Sequence, residues 1–263
     1  MLEIQINYDL GKTLESGQVF RQRRLGSNTF EIHAKDRVCT VTQVDNILRV
    51  EGCADSDEDA WRTYFTDNTS ETELAKRMQG NRILREAYCY SKGIRFLKQD
   101  PFECLISLIL SQQQRIPQIQ AKIEMLCKAC GKQLPGGSYA FPEPNEITDE
   151  AVDSIRIGYR APYVKLAAKA VANGMLDIYG ITKEHVTYQQ AMIALQNLYG
   201  VGPKVAKCVA LFSLGFTNAF PVDTHINNIL NLPEMRTFLP DNYGEYAGYI
   251  QQYLFYWSIN NGL

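Results

Sequence analysis

The hydrophobic pattern of this chain changes its period about a hundred residues from the start. Before that point apolar and polar residues alternate, as in residues 3–8 and 28–34, and a period of two is typical of β-strands. Beyond it apolar residues recur every three or four positions, as in residues 116–130, which is typical of helices. The sequence therefore predicts an α+β fold, with an N-terminal antiparallel β-sheet module with helices over residues 1–98 and an all-α body over residues 99–263.

Length and composition exclude several classes of protein. A chain of 263 residues can bury cores without metal or disulfide staples, and its seven scattered cysteines are expected to be reduced thiols. Lys and Arg total 27 against 29 Asp and Glu, so a nucleic-acid partner has to be held by a local surface. The N-terminus lacks a secretory pattern, and the longest apolar run, residues 102–110, is too short to cross a bilayer. We therefore expect an intracellular protein that does not interact with membranes.

A glycine-rich turn lies between two predicted helices, in a unit spanning about residues 189–214. Gly200 and Gly202 permit a tight turn, and Pro203 suits the first turn of the second helix. Backbone N–H groups at Gly200, Val201 and Gly202 would then face outward at a helix N-terminus and could bind one DNA phosphate. A tight helical hairpin without a ligand is the alternative.

Lys204 follows this turn directly and is a candidate nucleophile. The nucleophilic form of lysine is the neutral amine, and the helix dipole favours it by only about 0.3–1 kcal/mol. Keeping a lysine neutral near pH 7 requires about 4–5 kcal/mol. We therefore expect burial in an apolar pocket, or a nearby cation such as Lys207, to supply the remainder. The alternative is a surface lysine that contacts phosphate.

Asp223 follows Lys204 by nineteen positions, within the segment from Phe220 to Ile229. Its position suits a helix N-cap, which is one interpretation. The other is a carboxylate that faces the lysine and stabilises the positive charge that develops on a sugar as a glycosidic bond breaks. His225 could contact phosphate or could simply be a histidine on a helix surface.

The hairpin lysine and the downstream Pro-Val-Asp resemble the helix-hairpin-helix DNA glycosylase superfamily, most closely the 8-oxoguanine DNA glycosylase/AP lyases. Further similarity lies in residues 16–21 (SGQVFR), 99–105 (QDPFECL), 158–161 (GYRA) and 246–255 (YAGYIQQYLF). The resemblance implies a bifunctional enzyme that removes 8-oxoguanine and then nicks the strand by β-elimination. Lys204 would form a Schiff base with C1′ of the damaged nucleotide, and Asp223 would be its electrostatic partner. The implied partner is double-stranded DNA containing oxidised guanine, bound by a monomer without a cofactor or an obligatory metal.

The resemblance also implies a pocket for the extruded base. The Gly17 carbonyl would accept a hydrogen bond from N7–H of 8-oxoguanine, a position at which guanine presents an acceptor instead. Gln251 would read the Watson–Crick edge, and Phe255 and Cys208 would form opposite walls. Gln251 and Phe255 are four positions apart, outside the apolar stripe of their helix, and ordinary packing against another helix is the alternative interpretation.

Residues 158–160 are implied to hold the duplex open. Tyr159 would wedge beside the orphaned base and Arg160 would hydrogen-bond to it, whereas the alternatives are a loop tyrosine and a solvated arginine. Family members that select cytosine opposite the lesion carry an Asn and an Arg where this chain has Gln113 and Gln118. Gln113 can still contact DNA, but Gln118 lacks the cationic fork that donates to cytosine. The sequence therefore predicts weaker opposite-base selectivity.

Competing interpretations concern metal binding and substrate. Cys127 and Cys130 form a lone C-x-x-C on an apolar helix face, and Cys208 is the last cysteine, which excludes a four-cysteine iron–sulfur cluster after the hairpin. A glycosylase for another damaged purine, or a non-catalytic helix-hairpin-helix DNA-binding module, remains possible. Lys204 argues against the first when that enzyme is purely hydrolytic, and the pairing of Lys204 with Asp223 argues against the second.

Overall fold

Two hydrophobic cores organise the chain in the computed structural model, which describes residues 1–262. The smaller core lies under a β-sheet, and the larger core is enclosed by helices. The α+β fold predicted from the change of period is confirmed.

The sheet is antiparallel throughout, with strand order β1-β5-β4-β3-β2. Alternate residues of β1 and β3, such as Leu2 and Ile4 or Phe30 and Ile32, are buried, as a period of two requires. The strands are β1 (Leu2–Gln5), β2 (Gln22–Arg24), β3 (Thr29–Ala34), β4 (Arg37–Val44) and β5 (Ile47–Glu51).

The α-helices of residues 1–262 follow the sequence pattern where that pattern is long. In α6 the apolar residues Ile119, Ile123 and Leu126 are buried, as predicted, and Gly131 ends the helix. The helices are α1 (Leu10–Glu15), α2 (Glu58–Phe65), α3 (Glu71–Arg77), α4 (Arg82–Ser91), α5 (Pro101–Ser111), α6 (Ile116–Cys130), α7 (Asp149–Ser154), α8 (Ala161–Ala172), α9 (Tyr188–Gln196), α10 (Pro203–Phe212), α11 (Thr224–Leu230) and α12 (Ala247–Asn261). Short 3-10 turns occupy Asp55–Asp57, Pro144–Glu146, Gly158–Arg160, Pro233–Met235 and Pro240–Tyr246.

The boundary between the two cores along the chain does not coincide with the end of the predicted N-terminal module. Trp61 of α2 and Leu97 belong to the core under the sheet, whereas Leu74 of α3 and Leu84 of α4 belong to the helical core. Helices α3 and α4 therefore pack with the helical body although they precede residue 99. The division of the chain into residues 1–98 and 99–263 stays a prediction.

The helical core positions the elements that carry the candidate site. Apolar α5 is buried along nearly its whole length and packs against α6, α8 and α10, whereas α12 packs against α4 and α11. None of the helices in residues 1–262 combines the length and apolarity that a bilayer crossing requires. The same residues hold no cluster of metal-ligand side chains, and none of the seven cysteines, all within the described part, forms a disulfide.

Candidate active site

A cavity of about 350 Å³ opens where the loop after α1, helix α5, the start of α10, the segment before α11 and helix α12 meet. The walls between its polar groups are apolar, including Phe20, Leu108 and Phe212. The structure brings together in this cavity the predicted residues Gly17, Lys204, Cys208, Asp223, His225, Gln251 and Phe255. Residues that are distant in sequence thus share one concave site, as a binding pocket requires.

Lys204 is the second residue of α10 and lies at the cavity as an exposed side chain. Cys208, one turn further along α10, is buried and lines the same cavity. Burial raises the pKa of the Cys208 thiol, and the charge of Lys204 opposes part of that rise. Cys208 therefore presents a neutral wall beside the amine.

Of the two expected means of keeping Lys204 neutral, burial is not found in the protein itself. The expectation of burial is wrong, because α10 projects the side chain from its exposed first turn. Lys207 lines a separate cavity with Tyr188, Phe220 and Asp241, and its assistance to Lys204 stays a prediction.

Asp223 caps a helix, as predicted, and also lies at the cavity, whereas its electrostatic role stays a prediction. Its Oδ1 accepts a hydrogen bond of 2.9 Å from the Ile226 N–H and so caps α11, and the carboxylate also lines the cavity. No described residue donates to its Oδ2, and no ion pair within 4 Å joins it to Lys204 among residues 1–262. The Asp223 carboxylate and the Lys204 amine thus line one cavity without forming an ion pair with each other.

Helix α12 supplies one wall of the cavity. Gln251 is only 5% exposed, and its buried Oε1 has no hydrogen-bond partner among the described residues. An unsatisfied buried acceptor costs about 1–3 kcal/mol, which a ligand that donates a hydrogen bond can recover. Phe255 meets the ring of His225 edge to face at 5.8 Å, and the Nδ1 of His225 lies 3.4 Å from the Ser258 hydroxyl.

The loop after α1 closes the cavity opposite this helix. Gly17 has a φ of +79°, in the region that favours glycine, and a Cβ at this position would lie 3.1 Å from the Phe255 ring. The backbone of Gly17 therefore approaches the aromatic ring more closely than another residue would allow. Among the described residues, no group donates a hydrogen bond to the Gly17 carbonyl.

The glycine turn joins α9 to α10 as predicted. Gly200 has a φ of +84°, and a Cβ there would overlap the ring of Tyr163, which packs directly beneath the turn. Val201 is buried and anchors the turn, whereas Gly202 is exposed and is the N-cap residue of α10. Tyr163 also contacts the exposed Tyr199 edge to face at 5.1 Å.

Tyr159 and Arg160 lie in a 3-10 turn outside the cavity. Tyr159 is 46% exposed, as a wedge would require. Arg160 is only 4% exposed and donates to the carbonyls of Gln112 and Ile157, with its guanidinium 4.3 Å from the Tyr159 ring. The alternative of a solvated arginine is therefore wrong, and contact of Arg160 with an orphaned base would require release of these carbonyls.

Gln113 and Gln118 also lie outside the cavity lining. Gln113 is exposed with a φ of +52°, just after α5. The side-chain oxygen of Gln118 accepts a hydrogen bond of 3.2 Å from the Arg115 N–H at the start of α6. The amide of Gln118 is thus used to cap its own helix.

Several further residues at the site were missed from the sequence. The Gln112 carbonyl accepts hydrogen bonds from the side chains of Tyr159 and Arg160. The Gln112 side-chain Nε2 donates to the Gly200 carbonyl at 3.0 Å, so this residue connects the 3-10 turn to the glycine turn. Four polar residues that were not predicted line the cavity, namely Ser111, Gln114, Arg115 and Gln252. The run QQQR at residues 112–115 marks a polar segment after an apolar helix, but nothing local says which side chain faces the cavity.

A helical body in which a glycine hairpin precedes a lysine, with an aspartate and a base-sized cavity beside it, defines the class of helix-hairpin-helix DNA glycosylases. Residues 1–105 match the family model of the 8-oxoguanine DNA glycosylase N-terminal domain. The chain belongs to the 8-oxoguanine DNA glycosylase family.

Full-length relatives support this assignment. A probable N-glycosylase/DNA lyase of Methanothermobacter thermautotrophicus is 30% identical, over 98% of this chain and 95% of the relative. The structure of MBOgg1 with a low-affinity DNA ligand is 33% identical, with a TM-score of 0.88 over 97% of this chain and 93% of that one. The Clostridium acetobutylicum 8-oxoguanine glycosylase/lyase, bound to double-stranded DNA with cytosine opposite 8-oxoguanine, is 30% identical with a TM-score of 0.88 over 98% of this chain and 94% of that one.

Proposed function

We propose that this protein is a bifunctional DNA glycosylase and AP lyase that excises 8-oxoguanine from double-stranded DNA in base excision repair. The observation that carries the proposal is the cavity that holds the Lys204 amine, the Asp223 carboxylate and the unsatisfied Gln251 amide together. Such an enzyme acts on DNA inside the cell, in the nucleoid of a bacterium or the nucleus of a eukaryote.

The proposed chemistry begins at Lys204. Its neutral Nζ forms a bond to C1′ of the damaged nucleotide as the bond from C1′ to the base breaks, and the base leaves with the bonding electrons and takes up a proton. Loss of a proton from nitrogen and opening of the sugar give a Schiff base. Removal of a C2′ proton then expels the 3′ phosphate, which nicks the strand, and water releases the lysine.

Bound DNA would complete the environment that the protein alone lacks. Lys204 lies at the exposed mouth of the cavity, so a flipped nucleotide would cover it and remove water from the amine. The Asp223 carboxylate would stabilise the positive charge that develops on the sugar. Its use of Oδ1 as a helix cap fixes the carboxylate at the wall of the cavity.

The extruded base would lie between Phe255 and Cys208. Its Watson–Crick edge would meet Gln251, whose buried oxygen has no other partner within residues 1–262. N7–H would donate to the Gly17 carbonyl, which discriminates the lesion from guanine because guanine carries an acceptor at N7.

The surface around the cavity would hold the duplex. The N–H groups of the hairpin at Gly200, Val201 and Gly202 would bind one phosphate, with His225 at a second backbone contact. Exposed Tyr159 and Gln113 would occupy the space from which the lesion is extruded.

Borohydride trapping on an 8-oxoguanine duplex tests the proposal. During turnover, borohydride should reduce the Schiff base and join the protein to the oligonucleotide, and Lys204→Gln should abolish this product. Lys207→Gln is the matched control, because Lys207 lies one turn away but lines a different cavity, and it should still be trapped.

A substrate panel separates the remaining alternatives. Duplexes that differ only in the damaged purine should be cut at 8-oxoguanine without added alkali. Preference for an alkylated purine would replace the substrate assignment, and failure to cut an abasic site would reduce the protein to a DNA-binding module. Full trapping of Lys204→Gln would overturn the mechanism.

A further inference from the structure

Gln252 of α12 is buried at the edge of the cavity, with only 1% of its surface exposed. Its side-chain Nε2 donates a hydrogen bond to the carbonyl of Ser16, a residue 236 positions earlier in the chain. This bond ties helix α12, which carries Gln251 and Phe255, to the loop that carries Gly17.

The bond acts on the peptide unit that precedes Gly17. The Ser16 carbonyl and the Gly17 N–H belong to one planar unit, so holding the carbonyl sets the orientation of the chain as it enters Gly17. Glycine at a φ of +79° has wide conformational freedom, and without this restraint its own carbonyl could rotate.

The chain leaving Gly17 is held from the opposite side. The buried Gln18 side chain donates to the Arg95 carbonyl at 2.8 Å and accepts from the Leu97 N–H at 2.9 Å, and Gln99 donates to the Gln18 carbonyl at 2.9 Å. These bonds tie the loop to the segment before α5. The hydrogen bond of Gln252 instead ties the loop to α12, the helix whose side chains form the base pocket.

We propose that Gln252 is a specificity-determining positioning residue, which holds the Gly17 carbonyl in register with Gln251 and Phe255. The proposal rests on the proposed function, in which the Gly17 carbonyl accepts the N7–H of 8-oxoguanine. A hydrogen bond of this kind is directional, so a carbonyl that turns away loses the discrimination between lesion and guanine while the rest of the pocket stays in place.

Gln252→Met removes the donor while keeping the approximate volume of the side chain. The change is made in a Lys204→Gln background, so that equilibrium binding can be measured without turnover. Dissociation constants are then compared for three duplexes that carry 8-oxoguanine, guanine or a tetrahydrofuran abasic analogue opposite cytosine. Gln79→Met is the matched control, since Gln79 is exposed just after α3 and its Nε2 donates only to the carbonyl of Ala75 in that helix.

The expected result is that the preference for 8-oxoguanine over guanine falls about tenfold, the value of one lost hydrogen bond. Affinity for the abasic duplex should stay within about twofold, because that duplex has no base for the loop to read. In otherwise unmodified protein, Gln252→Met should slow excision of 8-oxoguanine but not the nicking of preformed abasic sites. Gln79→Met should change none of these.

Two results would overturn the inference alone: an unchanged preference in Gln252→Met, or an equal loss of affinity for 8-oxoguanine and abasic duplexes, which would indicate a purely structural role. A Lys204→Gln parent that shows no preference for 8-oxoguanine would instead contradict the proposed function, and the inference with it.

Discussion

Gly200 and Gly202 of the hairpin differ sharply in what an added methyl group would meet. Gly200 has a φ of +84°, and its Cβ would overlap the Tyr163 ring. The left-handed conformation costs a residue other than glycine about 1–2 kcal/mol, and displacing a packed ring costs about 1–3 kcal/mol more. Gly200→Ala should therefore lose about 2–5 kcal/mol, which lowers the Tm of a chain of this length by about 4–10 °C.

Gly202→Ala should leave stability almost unchanged. Gly202 has a φ of −85°, and no atom lies within 4 Å of the position of its Cβ. Alanine is a poorer N-cap than glycine, which costs at most about 1 kcal/mol. The methyl group would nevertheless stand on the surface that we propose for the DNA phosphate, so duplex affinity should fall about tenfold, as for the loss of one charge-assisted hydrogen bond.

Calorimetry and fluorescence anisotropy with an undamaged duplex separate the two effects. In a Tyr163→Ala background the penalty for Gly200→Ala should shrink to about 1–2 kcal/mol, because the overlap is gone and only the conformational strain remains. A wild-type Tm for Gly200→Ala would refute the packing argument. Undiminished duplex affinity for Gly202→Ala would refute the hairpin as a phosphate site.

The remaining predictions concern the base pocket, the opposite base and pH. Phe255→Ala should lower the rate of 8-oxoguanine excision about 5- to 150-fold, since stacking contributes about 1–3 kcal/mol, while nicking of abasic duplexes in the same gel assay stays near wild type. Because Gln118 caps α6, incision should depend only weakly on which of the four bases lies opposite 8-oxoguanine, and strict dependence on cytosine would contradict this. Burial raises the pKa of Glu103 from 4.5 to about 6, so its stabilising contribution is complete below pH 4.5 and is lost as the pH rises through 6. The difference in unfolding free energy between Glu103→Gln and wild type should consequently change by about 2 kcal/mol in favour of the variant between pH 4.5 and 7. Denaturant unfolding measures this difference, and a difference that does not change with pH would argue against the prediction.

Local signals in the sequence were sufficient for the secondary structure of the longer elements. The apolar spacing of α6 predicted its extent, because this spacing depends on residues within a turn or two of one another. Short elements carried weaker signals: strand β2 has three residues and α1 six, too few to show a period. Helix α9 ends at Gln196, just before the tight turn that leads to α10.

The chemistry of the site was also readable in part. A lysine directly after a glycine turn and an aspartate at a helix start indicated an amine and a carboxylate, and the resemblance over residues 16–21 and 246–255 indicated a base pocket. Whether these groups meet depends on how α10 packs on α5 and how α12 packs on α4 and α11, which no local pattern encodes.

Only the tertiary structure decided which side chains are exposed and which groups hydrogen-bond to one another. The sequence led us to expect Lys204 buried and Arg160 either solvated or directed to a base, yet Lys204 is exposed and Arg160 is buried against the Gln112 carbonyl. Contacts such as that of Gln252 with Ser16 join segments at opposite ends of the chain. Periodicity, caps and turn residues act over a few positions and so can be read from the sequence, whereas burial and long-range hydrogen bonds arise only when distant elements pack together.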